Sequence, residues 1–144
     1  MTIEELVDRM TAHLDEDKRP GPCSEGQIAD AERAFHAEFS RPLLSGYKRL
    51  LRRADGIKHN GLTVWPLNSR PLFRQTIFEA NLDLRGSFSS DFVYYAQRDE
   101  ELYVLRVEHG REQCCAIEFV GKPVWKEFRD DVEMFEFLLN RAWE

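Results

Sequence analysis

The stretch LLSGYKRLLRRADGIKHNGLTVWPL, residues 43 to 67, places the tightest constraint on the fold. Tyr47, Leu50, Leu51 and Ala54 fall at helical spacing, so a helix is expected there with Ser45 as its amino-terminal cap. Asp55-Gly56 stops it, because glycine takes the left-handed conformation that commonly ends a helix. A short turn then leads to a strand around Leu62 and Val64, which halts at Pro66 because proline brings no N–H to a sheet ladder. No catalytic motif has this form, which points to a protein that works by binding.

Helices are expected before this joint. Thr2 and Glu5 have capping-box spacing ahead of Ile3, Leu6, Val7, Met10 and Leu14, which predicts a helix over residues 2 to 15. Pro20, Gly21 and Pro22 make residues 16 to 23 a loop. Ser24 and Gln27 form a second capping box, and Ile28, Ala31, Phe35 and Phe39 give the stripe of a second helix, broken at Arg41-Pro42.

Strands dominate after the joint. Pro71 is expected to start a short helix carrying Leu72, Phe73, Ile77 and Phe78, and the polar residues 81 to 91 read as a loop. FVYYAQ at 92 to 97 and LYVLRVE at 102 to 108 are rich in aromatic and β-branched residues, and RDEE between them predicts a hairpin. His109-Gly110 turns the chain into a strand near 113 to 120, and Gly121 turns it again before Val124-Trp125. Asp130 or Asp131 caps a closing helix with Val132, Phe135, Leu138, Leu139 and Ala142 facing inward. The expected fold is α+β, a single domain over residues 1–144. Its amino-terminal helices pack on one side of a mostly antiparallel sheet, and a carboxyl-terminal helix closes it.

A formal charge of -6 argues against general nucleic-acid affinity and suits a basic protein partner. No apolar run approaches the roughly 18 residues of a membrane span, and the acidic start is unlike a secretory signal, so a cytoplasmic protein is expected. Adjacent Cys114 and Cys115, with Cys23 far away, do not form a disulfide framework. On a strand the adjacent pair points to opposite faces, one into the core and one outward, so the two do not serve one tetrahedral metal site with His109. No nucleophile elbow and no phosphate-cradling glycine loop is present, and neither a metal nor a cofactor is expected. Cys23, beside two prolines, is a loop thiol without a histidine signature.

Two surface features remain. Lys48, Arg49, Arg52 and Arg53 share one outward helix face, either an anion site or a solvated face whose charges complement the helix dipole. On residues 92 to 97, Tyr94 and Tyr95 point to opposite faces, so one is expected to be much more exposed unless helices cover both. Trp65 and Trp125 are of the type that anchors interfaces, although most Trp in a domain of this size are core.

Ile28, Ala31, Glu32 and Phe35, then Leu43, Tyr47, Lys48, Leu50 and Leu51 with Asp55-Gly56, then Asn60-Gly61-Leu62 and Trp65-Pro66-Leu67, resemble the SUKH superfamily of Smi/Knr-type regulators and bacterial immunity proteins. The resemblance covers about residues 24–142 and extends to the closing Phe135-x-Phe137-Leu138-Leu139. Leu44 stands where the family commonly has proline. The resemblance implies structural roles for Ile28, Glu32, Tyr47, Leu51, Gly56, Trp65 and Pro66, and no catalytic site. It also implies an immunity protein that binds and blocks a cognate secreted toxin, such as a nuclease with a basic groove. The surface expected to meet that partner is the acidic hairpin Asp99, Glu100 and Glu101 with an exposed Tyr95. The alternative is an intracellular interaction or regulatory module of the same fold without a toxin.

Overall fold

Six strands run as an antiparallel meander in the order β1 to β6, in a computed structural model that describes residues 1–121 and 123–144. Helices α1 (Ile3–Ala12), α2 (Glu25–Phe39) and α3 (Ser45–Leu51) come first. The strands are β1 (Ile57–His59), β2 (Leu62–Val64), β3 (Phe92–Arg98), β4 (Glu101–Glu108), β5 (Arg111–Glu118) and β6 (Val124–Glu127). Helix α4 (Ile77–Ser87) lies between β2 and β3, and α5 (Asp131–Trp143) closes the chain. The fold is α+β, as the order of helical and strand patterns implies.

Capping chemistry sets most helix starts. Thr2 with Glu5 and Ser24 with Gln27 form the two expected capping boxes. Asp130 caps its own helix by accepting from the Glu133 N–H. Helix α3 departs from expectation: Leu44, not Ser45, holds the cap position and offers no side-chain bond. The donors of that helix end are satisfied from a distance instead. Asp131 Oδ2 accepts from the Gly46 N–H at 2.5 Å and from the Ser45 hydroxyl at 2.8 Å, tying α3 to the start of α5. The approach is close enough that a Cβ on Gly46 would sit 2.8 Å from the Phe135 ring.

Three further expectations are corrected. The turn read between Asp55-Gly56 and Leu62 contains strand β1, which pairs with β2 through a tight turn at Asn60-Gly61, both with positive φ. Gly56 has φ +95°, yet it stands beyond the end of α3, where it turns the chain into β1. The helix expected from Pro71, with a polar loop over 81 to 91, is instead α4. Thr76 and Glu79 form its capping box, and it runs through Asn81 to Ser87. Gly86 and the serines weaken the helical pattern only in its last turn, and the box at Thr76 carries the stronger signal.

The helices divide unequally about the sheet. Phe35 of α2, Tyr47 of α3 and Phe135 of α5 all meet the Tyr95 ring, and Phe137 of α5 meets Tyr103, so these helices cover one face. Helix α4 runs along the edge of β3 that short β2 leaves open. Its fully buried Asn81 behaves as a substitute strand. Oδ1 accepts from the Tyr94 N–H at 2.8 Å, and Nδ2 donates to the Tyr94 carbonyl at 2.9 Å. Arg85 adds a bond to the Phe92 carbonyl at 2.8 Å. Three backbone groups that an unpaired edge would strand are thereby satisfied.

On the second face Tyr94, Val104 and Cys115 lie in register, and all three are fully buried. Phe88, just past α4, meets the Tyr94 ring there. Both faces are therefore closed, so neither tyrosine of β3 is exposed. For the same reason Cys114 and Cys115, although on opposite faces, are both buried, which corrects the expectation that one faces out.

Candidate partner interface

Every residue to which the family resemblance assigns a structural role sits in the framework. Ile28, Tyr47, Leu51, Trp65 and Pro66 are buried. The Tyr47 hydroxyl donates to the Trp65 carbonyl at 2.6 Å, and the Pro66 carbonyl accepts from the Ile77 N–H at 2.8 Å, starting α4. Glu32 accepts from the Leu43 N–H and from Lys48 Nζ, pinning the α2–α3 connection. A Cβ on Gly56 would lie 2.9 Å from the Phe73 ring and 3.0 Å from the Val64 carbonyl.

Between these residues lies one that the sequence marks only as part of the helix stop. Asp55 is fully buried, and its carboxylate accepts from the Leu67 N–H at 2.6 Å, the Asn68 N–H at 3.2 Å, the Asn68 amide at 2.9 Å and Arg70 Nε at 2.9 Å. Four donors to one buried carboxylate fold the segment after Pro66 back onto the end of α3.

The basic face of α3 is matched by the protein's own acids. Lys48 and Arg52 turn toward Glu32 and Glu25 of α2, whereas Arg49 and Arg53 turn toward Glu4 and Asp8 of α1. Hydrogen bonds from Arg49 lower the Glu4 carboxyl to about 2. Each such half-exposed pair contributes about 0–1 kcal/mol, so the cluster orients three helices more than it stabilises them. It offers no free anion site.

Beside it, His59 packs against His13 and stacks on Trp143 of α5. Burial, and then the nearby His13, lower its pKa from 6.5. The folded chain therefore favours neutral His59, and this contribution is complete above the unfolded value and lost as pH falls below it. Thermal unfolding at pH 5.5 is expected a few degrees below that at pH 7.5, and His59→Gln is expected to flatten the difference. Glu4 does not interfere, because its contribution is lost only at lower pH.

The thiols are chemically quiet. Burial raises Cys114 and Cys23 to about 12 and Cys115 to about 11, with the Asp55 charge adding to the effect on Cys23. Among the described residues, no group of three His, Cys, Asp or Glu side chains is placed to hold a metal ion.

The far end of the sheet gathers a different set. Asp99 and Glu100 form the exposed β3–β4 turn, with Asp99 at φ 54°. The Phe119 N–H donates to the Glu100 carbonyl at 2.7 Å, which ties this turn to the β5–β6 connection. There Phe119, Val120, Val124 and Trp125 are exposed, Val120 by 69%. Phe119 stacks on Phe88 at 4.9 Å, and Arg141 lies 5.3 Å over the Trp125 ring. The same Arg141 pairs with Glu101 at 3.1 Å.

The sequence-derived surface is thus divided. Asp99 and Glu100 are available, Glu101 is largely covered and internally paired, and Tyr95 is fully buried, its hydroxyl accepting from the Leu44 N–H. Burial and the aromatic rings around it remove Tyr95 from any contact surface. Of the two candidate tryptophans, Trp65 is core and Trp125 is surface. Phe119 and Val120 were not singled out from sequence, although an apolar pair directly before turn glycine Gly121 is a readable signal.

Among the described residues no helix is long and apolar enough to cross a membrane. No protein-family model matches the chain, and no curated protein matches it. Among solved structures it is similar to a crystal structure of a protein from Pseudomonas syringae pv. tomato. That match has a TM-score of 0.64 and 11% identity, and it covers 95% of this chain and 98% of the other. At that identity the likeness establishes a shared fold.

Proposed function

We propose that this chain is a non-catalytic binding protein of the SUKH type, an immunity protein that neutralises a cognate toxin. The observation that carries the reading is the juxtaposition of exposed Asp99 and Glu100 with exposed Phe119, Val120, Val124 and Trp125 at one end of the sheet. An apolar centre with a charged margin is the anatomy of a specific protein interface, and aromatic anchors carry most of its energy. The acidic margin and the net charge of -6 suit a basic partner surface such as a nuclease groove, because complementary charge speeds encounter and fixes orientation. The framework roles of Tyr47, Gly56, Trp65 and Pro66 support the same reading, since they leave the loops free to carry partner specificity.

The test is coexpression with the product of the neighbouring gene in cells that the product arrests. The chain is expected to restore growth, and Asp99→Lys with Glu100→Lys is expected to weaken complex formation at least about tenfold while leaving Tm unchanged. Growth arrest that persists in the presence of folded wild-type chain would contradict the toxin reading. Undiminished protection by the charge-reversed variant would contradict the placement of the surface.

A further inference from the structure

We propose that the cleft between the single 3₁₀ turn Glu16–Lys18 and the segment 70–73 binds a small organic anion, a carboxylate or phosphate monoester with an apolar body. The cleft has a volume of about 270 Å³. That is just under the range of roughly 300–1,000 Å³ that serves drug-sized ligands, so its occupant is smaller.

Three cations converge there: Lys18, Arg19 and Arg70. The contrast with α3 is the basis of the inference: each basic side chain of that helix lies close to a carboxylate of its own, whereas Arg70 engages Asp55 through Nε alone and Arg19 has no carboxylate partner among the described residues. Asp17 is the only carboxylate in the lining. Lys18 has only a 3.9 Å pairing with Asp15 and is 61% exposed.

The two arginines are fixed before any ligand arrives. Arg70 Nε is held at 2.9 Å by buried Asp55, and its two Nη nitrogens have no hydrogen-bond partner among the described residues. Arg19 uses Nε and Nη2 on the Leu14 and Ala12 carbonyls at the end of α1, which leaves Nη1. A guanidinium anchored through one nitrogen presents the rest of its fork to an oxyanion at little further entropic cost. Leu72 and Phe73 supply the apolar wall for the ligand body.

The test is an NMR titration of the intact chain, following backbone amides and arginine Nε–H signals, with phenyl phosphate, benzoate, inorganic phosphate and benzyl alcohol as probes. Phenyl phosphate or benzoate is expected to shift Arg70, Leu72 and Phe73 saturably below about 10 mM, and whichever binds tighter names the head group. Inorganic phosphate is expected to bind about tenfold more weakly, and benzyl alcohol to give no saturable shift. Lys18→Gln, which removes only the long pairing with Asp15, is expected to weaken binding about threefold. Arg70→Lys keeps the charge but loses the fork, and is expected to weaken it at least about fivefold. Absence of saturable shifts in the cleft would overturn the proposal. So would equal affinity in wild type and both variants.

Discussion

Asp55→Ala is expected to be the most damaging single substitution in this chain, lowering stability by about 3–5 kcal/mol. The carboxylate is fully buried and serves four donors, so its removal strands the Leu67 and Asn68 N–H groups and unpairs Arg70. Native chains are stable by only about 5–15 kcal/mol, so the loss is a large fraction of the total. Urea unfolding followed by tryptophan fluorescence measures it as a lower midpoint at unchanged slope. Asp55→Asn keeps the shape but offers one acceptor oxygen instead of two, and about half the loss is expected. Cys23, beside Asp55 and 5% exposed, gives a local readout, since its labelling by a thiol reagent should accelerate in the alanine variant. A loss below about 1 kcal/mol would mean that water replaces the carboxylate and that the clamp is not structural.

Asn81→Leu is expected to cost about 2–4 kcal/mol, although leucine is of similar size and the site is fully buried. The hydrophobic gain does not offset a Tyr94 N–H and carbonyl left without partners at a sheet edge. Hydrogen exchange localises the effect: the Tyr94 amide should lose protection before the β4–β5 amides do. Asn81→Asp separates geometry from chemistry. A carboxylate still accepts from the Tyr94 N–H but cannot donate to the Tyr94 or Ile77 carbonyls, so it should be no better than leucine at pH 7 and should improve as it protonates. Full Tyr94 protection in the leucine variant would show that α4 covers the edge by packing alone.

These two residues also show what the sequence concealed. Capping boxes at Thr2 and Ser24 and the alternation over β3 and β4 are local signals, and the elements they predict are present. Asp55 and Asn81 look local too, one a turn residue and the other a loop polar, but Asp55's partners lie 12 to 15 residues away and the strand that Asn81 pairs with lies 13 residues away. Spacing along the chain carries no trace of such a bond. The cap of α3 escaped for the same reason, since Asp131 reaches it from 85 residues away. Strand alternation puts one tyrosine of β3 on the open side of a sheet covered on the other, but Tyr95 lies on the face that α2, α3 and α5 cover, and Phe88 closes the other face over Tyr94. The acidic turn was readable because hairpin turns face solvent. That it lies beside the apolar pair Phe119 and Val120 was not, because only the meander brings the β3–β4 and β5–β6 turns side by side.

The central claim is that a basic partner engages the end of the sheet bearing Asp99, Glu100, Phe119 and Trp125. Photocrosslinking tests it most directly, with a photoreactive phenylalanine placed at Val120, the most exposed large apolar residue, and in a second chain at His109, at the opposite end of β4 and β5. In the native host, the Val120 probe is expected to capture one basic protein, the His109 probe none, and Asp99→Lys with Glu100→Lys should abolish the capture. Capture from His109 but not Val120, or capture from Val120 that survives the charge reversal, would contradict the account.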